Sequence, residues 1–152
     1  MHWTRPGGAA ACVTIRCATK RGEDATPMDA QIVNINEYRL AADADRFVEA
    51  INAVARRTET EGEPGVLRYQ FFVNRDDNTA AATIVYRDAE AWLAHHRMAY
   101  EWPEMAVFQS TVQLQRLTFL GPLNEEIEAM ASAVSVPVSY CDTLAAGFAR
   151  TS

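Results

Sequence analysis

Residues 64–102, PGVLRYQFFVNRDDNTAAATIVYRDAEAWLAHHRMAYEW, decide the fold. Residues 66–73 (VLRYQFFV) and 83–86 (TIVY) are β-branched and aromatic, the composition that a pleated, half-buried surface favours. Asn74, Arg75, Asp76, Asp77 and Asn78 lie between them, and Asn and Asp bend the backbone by hydrogen-bonding it with their own side chains. So short a connection excludes a parallel crossover, and the two strands are expected to pair antiparallel. Asp88 follows the second strand at an N-cap position, with Glu90 placed to meet the positive end of a helix dipole. The stretch reads strand, turn, strand, helix.

Working outward, residues 32–38 (IVNINEY) alternate well enough for a strand with one face on a core. Asp43 and Asp45 mark a helix start, and Phe47, Ile51, Val54 and Thr58 recur at helical spacing up to Gly62. On the far side Pro103 interrupts the helix that carries Trp92, and a short further helix runs through Met105 and Phe108. Residues 111–120 (TVQLQRLTFL) alternate with one phase slip and stop at Gly121-Pro122. Asn124 caps a last helix through Ile127, Met130 and Val134, and the tail reads as a further extended segment. The order β-α-β-β-α-β is the ferredoxin-like plan, an α+β fold with an antiparallel sheet of four strands and helices on one face. Residues 29–122 form that domain, and residues 123–152 form a helical and extended addition. The uncovered face holds large apolar side chains, each worth about 1.5–3 kcal/mol when buried. A homodimer, sheet against sheet, is the expected consequence.

Composition narrows the function classes. Hydrophobic residues make up 49% and charged residues 22%, ordinary for a globular domain, and no apolar run could span a bilayer. Residues 1–28 hold four basic and two acidic residues, leaving ten and eighteen for the remainder. An acidic body argues against nucleic acid as a partner. Residues 1–28 read as a flexible arm, with Met28 an alternative start; their apolar patch is at the lower length limit for a secretory signal and Arg16 ends it, so a signal is not expected. Cys12, Cys17 and Cys141 form no paired motif, which points to a reducing cytoplasm rather than to disulfides or zinc.

Taken together, PGVLRYQFF, the turn RDDN, the strand TIVYRD and the helix AEAWLAHH resemble the antibiotic biosynthesis monooxygenase-like family, over residues 31–121. The resemblance implies a dimeric α/β barrel with a pocket in each subunit between sheet and helices. It also implies oxidation of a small electron-rich aromatic, a quinol or polyketide, by molecular oxygen with neither metal nor flavin. A haem-cleaving branch of the family uses a strand asparagine with a tryptophan and a later histidine on the second helix. Asn34 or Asn36 matches the first, but Trp92 stands only just before His95 and His96, and no histidine follows them. That departure points away from haem.

Candidate chemistry follows from residue types. Adjacent helical residues diverge by about 100°, so one histidine is expected to face a pocket, and the stripe with Trp92 selects His96. A histidine near its ordinary pKa takes the proton of a phenolic substrate as general base. The plainer alternative leaves both histidines on the helix surface beside Arg97. Trp92, Tyr86, Tyr100 and Trp102 are candidates to line a flat slot, or else to pack in the core. Asn34 and Asn36 share a strand face, where an amide holds a substrate carbonyl or a developing enolate. Arg68 and Arg116 are candidates for an anionic group or for cross-strand ion pairs. His95 and His96 lack the i, i+4 spacing of metal pairs, so no metal site is expected. No nucleotide loop or nucleophile elbow is present. Catalytic roles thus fall on His96, Asn36 and Trp92, and substrate contacts on Asn34, Tyr86, His95, Tyr100, Trp102 and Arg68. A non-catalytic binding barrel and an isomerase or lyase on the same scaffold remain as alternatives, because one scaffold hosts many chemistries.

Overall fold

The computed structural model describes residues 27–151. The arm expected over residues 1–28 therefore lies outside the described residues, except for Pro27 and for Met28, which opens a 3-10 turn at Met28–Ala30. Strand β1 (Ile32–Leu40) leads through Asp43 into helix α1 (Ala44–Glu61). The Asp43 side chain accepts from the Arg46 N–H at 2.9 Å, closing one of the donors a helix N-terminus leaves open. Phe47, Ala50, Ile51, Val54 and Thr58 form the buried stripe of α1. Gly62 ends it, where a Cβ would come within 2.4 Å of the Thr58 carbonyl oxygen.

Strands β2 (Val66–Asn74) and β3 (Thr79–Tyr86) form the antiparallel hairpin. Asn74 Oδ1 accepts from the backbone N–H groups of Asp76 and Asp77, and Asn78 takes φ 59°, a left-handed position that asparagine tolerates. Strand β3 begins four residues earlier than composition suggests. Its alanines have weak strand preference alone, but they pair with β1 on one side and β2 on the other, and that tertiary context wins.

Helix α2 (Ala89–Ala99) is capped by Asp88, which accepts from the Ala91 N–H at 2.9 Å. Pro103 opens helix α3 (Pro103–Ser110), and strand β4 (Val112–Leu120) returns alongside β1. The phase slip in β4 is a bulge. Tyr38 faces Leu114 while Glu37 faces Arg116, so Gln115 has no opposite. Helix α4 (Glu125–Ser132), capped by Asn124, then carries the chain to strand β5 (Val138–Cys141), which pairs parallel with β4.

The sheet order is β2-β3-β1-β4-β5, antiparallel but for its last pair. Its first four strands form the ferredoxin-like sheet. The fifth corrects the expected count of four, because the tail supplies the backbone partners that the β4 edge would otherwise lack. Helices cover the face bearing Ile32, Asn34, Tyr38 and Ile84, and the main core lies between. The other face carries Val33, Ile35, Val85 and Leu120, each half-buried, beside Phe72, which is 58% exposed. No helix among the described residues is long and apolar enough to cross a membrane.

Candidate active site

Strand alternation and helix periodicity converge on one hollow. The inward residues of β1, Asn34, Asn36 and Tyr38, form its floor, and Tyr86, Trp92, His95 and His96 form one wall. Met105 and Phe108 from α3, Leu114 and Leu117 from β4, and Met130 and Val134 at the end of α4 complete it. The cavity measures about 330 Å³, the lower end of the range for small-molecule sites.

Hydrogen bonds fix the wall. The Trp92 indole N–H donates to Asn34 Oδ1 at 2.8 Å, tying α2 to β1. The His96 ring stacks on the Trp92 ring, centroids 3.6 Å apart, and His96 Nδ1 lies 2.8 Å from the Trp92 carbonyl oxygen. A carbonyl only accepts, so Nδ1 carries the proton and Nε2 of the neutral ring is the unprotonated nitrogen. His95 packs between the rings of Tyr69 and Tyr86, 5.7 Å from each. Asn36 Nδ2 donates to the Tyr38 hydroxyl at 2.9 Å. Asn36 Oδ1 and His95 Nδ1 are buried with no partner.

Desolvation governs the electrostatics. It lowers His95 to about 4 and His96 to about 3; for His96 the bond to the Trp92 carbonyl opposes that shift and the neighbouring His95 adds to it. Burial pushes the Tyr38 phenol up to about 12 and raises Tyr86 and Tyr100 as well. Every titratable group of the cavity is therefore held in its neutral form at pH 7.

Seven of the nine sequence candidates meet at this cavity: His96, Asn36, Trp92, Asn34, Tyr86, His95 and Tyr100. Two do not. Trp102 is buried away from it under the Arg57 guanidinium, which sits 4.9 Å above the ring and pairs with Glu104 at 2.8 Å. Arg68 is exposed on β2, and Arg116 lies near Glu37 on the opposite side of the sheet from the cavity. Two further expectations are corrected. Both histidines line the cavity: their rings lie 5.7 and 5.9 Å from that of Tyr86 and 5.3 Å from each other, so the two imidazoles and the phenol form one cluster. Neither histidine sits near its ordinary pKa, since the apolar surroundings penalise the imidazolium. Sequence reasoning passed over Tyr38, although it follows Asn34 and Asn36 in the same alternation. It had no means of finding Met130 and Val134, which reach the cavity only through the placement of α4.

A sequence model of the antibiotic biosynthesis monooxygenase family matches residues 31–109. Among solved structures, MupZ from Pseudomonas fluorescens is similar at 24% identity and a TM-score of 0.56, covering 82% of this chain and 92% of that one. That likeness extends past the family match and concerns the fold. SnoaB from Streptomyces nogalater, a cofactor-independent oxygenase, is similar at 17% identity with a TM-score of 0.48, covering 59% of this chain and 90% of that one. Among curated proteins there is no match.

Proposed function

The chain belongs to the antibiotic biosynthesis monooxygenase family, and from that membership we propose that it oxidises a small electron-rich aromatic with molecular oxygen, without a bound cofactor. One observation carries the reading. His96 has its Nδ1 proton committed to the Trp92 carbonyl and therefore offers the cavity a neutral imidazole with an unprotonated Nε2.

In the proposed sequence an acidic C–H or phenolic proton of the substrate passes to His96 Nε2. The resulting carbanion or enolate gives one electron to oxygen, the radical pair combines as a peroxide, and the peroxide takes the proton back from His96. For a methylene carbon flanked by aromatic rings, loss of water then leaves a carbonyl, with one oxygen atom in the product and one in water. No external reductant is needed. The low basicity of His96 in the empty cavity is compatible with this role. An anion alongside raises a histidine pKa by roughly 1–3 units, so the imidazolium persists only while the substrate anion does. Asn34, whose Oδ1 is held by the Trp92 indole, sets its amide N–H groups against the oxygen on which that charge collects.

Members of this family are usually dimeric. In this reading a second copy covers the outer sheet face that holds Val33, Ile35, Val85 and Leu120.

The test is oxygen consumption by the full chain with a panel of quinols and anthrone-like compounds. Uptake with at least one of them, lost in His96→Ala, is expected. Unchanged turnover in that variant removes His96 as the base. Turnover that persists anaerobically replaces the oxygenase by an isomerase or lyase, and no uptake with any compound leaves a binding barrel.

A further inference from the structure

Among the described residues the cavity lining contains no arginine, lysine, aspartate or glutamate. Its polar groups are amides, phenols and two imidazoles that burial keeps uncharged. The nearby charged side chains are engaged elsewhere: Arg97 of α2 pairs with Glu126 of α4, and Arg57 with Glu61 and Glu104. A ligand that enters as an anion loses its water and finds no cation to replace it.

Two adjacent groups on the floor have opposite needs. Asn36 Oδ1 is buried and without a donor. Asn36 Nδ2 already donates to the oxygen of Tyr38, which leaves the Tyr38 hydroxyl proton for another acceptor. A hydroxyl is the smallest group that donates to the first and accepts from the second at once. An ether or a carbonyl meets only the second need. Away from the floor, His95 Nδ1 is also unpartnered and offers a further polar contact.

We infer that the cavity selects an uncharged aromatic bearing a hydroxyl group, held between Asn36 and Tyr38, and discriminates against carboxylated or phosphorylated ligands. This rests on the reading of the cavity as the substrate site given above, and binding alone tests it, without turnover.

The experiment is anaerobic titration calorimetry of the full chain with 1-naphthol, 1-methoxynaphthalene and 1-naphthoate at neutral pH. The naphthol is expected to bind about tenfold more tightly than the ether and at least about 100-fold more tightly than the carboxylate. In Asn36→Leu the ratio of naphthol to ether falls toward one while the affinity for the ether is retained. Tyr38→Phe, a smaller change to the fold, lowers the same ratio and serves if Asn36→Leu does not fold. Carboxylate binding equal to naphthol, a ratio unchanged in both variants, or no binding of naphthol at millimolar concentration overturns the inference. Discrimination without oxygen uptake by any quinol removes the oxygenase reading and leaves this one standing. Uptake together with tight carboxylate binding does the reverse.

Discussion

Replacing Trp92 by phenylalanine removes one hydrogen-bond donor from the middle of the cavity wall. The indole N–H donates to Asn34 Oδ1 at 2.8 Å, and the two residues are only 4% and 3% exposed. A buried acceptor stranded in this way costs about 1–3 kcal/mol. Asn34→Leu strands the indole N–H instead, with a similar penalty. The double variant removes both groups and strands neither, so its loss is smaller than the sum of the single losses, by on the order of 1–2 kcal/mol. Urea unfolding followed by far-UV circular dichroism reads this without depending on tryptophan emission. With a slope of about 1–3 kcal/mol per molar urea, each single variant moves the midpoint down by roughly 1 M. Protein concentration must be held constant, because any association contributes to the apparent stability. Strict additivity of the two changes would refute the reasoning, since it would mean that the bond contributes nothing as a pair.

Acid sensitivity should follow from His95 and His96. Their folded pKa values lie below the unfolded value, so the unfolded chain binds more protons; stability is complete above about pH 6.5 and is lost as pH falls toward about 4 and 3. Between pH 6.5 and 5 the melting temperature should fall, and His95→Asn should flatten that slope; an unchanged slope would contradict the burial argument. Asp88→Ala should destabilise by about 1 kcal/mol in chemical denaturation through loss of the cap on α2. Gly121→Ala should destabilise by more, about 2 kcal/mol or above, because φ is +104° and an added Cβ would lie 2.1 Å from the Gln31 carbonyl oxygen; a wild-type midpoint there would show that the turn relaxes. Sedimentation should give twice the mass of the chain, and Val85→Glu on the outer sheet face should shift it toward the monomer.

Much of this architecture is legible in local chemistry. Asp88 and Asn124 announce their caps, Pro103 announces the break between α2 and α3, and the irregular alternation of β4 announces its bulge. Each of these signals acts within a few residues of itself. What escapes is decided by distant contacts. The alanines of β3 join the strand because neighbours on both sides supply hydrogen bonds. The sequence leaves Trp102 open between slot and core, and only the fold, which brings Arg57 from far away in sequence across its ring, decides for the core. A helical wheel separates His95 from His96 but says nothing of Tyr86, which stands where both rings can meet it. The degree of desolvation that sets their pKa values depends on residues from most elements of the chain, so no spacing rule reveals it.

The surplus residue in β4 has a consequence for how this chain tolerates editing. Ordinarily, removing one residue from a strand turns every later side chain to the opposite side. Here, excising Gln115 would bring Arg116 directly after Leu114 and restore unbroken alternation, with Leu117 and Phe119 still directed toward the helices. What would vanish is the local bend opposite Tyr38. A shortened chain of this kind would keep its pairing and alter the contour of the hollow, isolating curvature as a variable that point substitutions leave untouched.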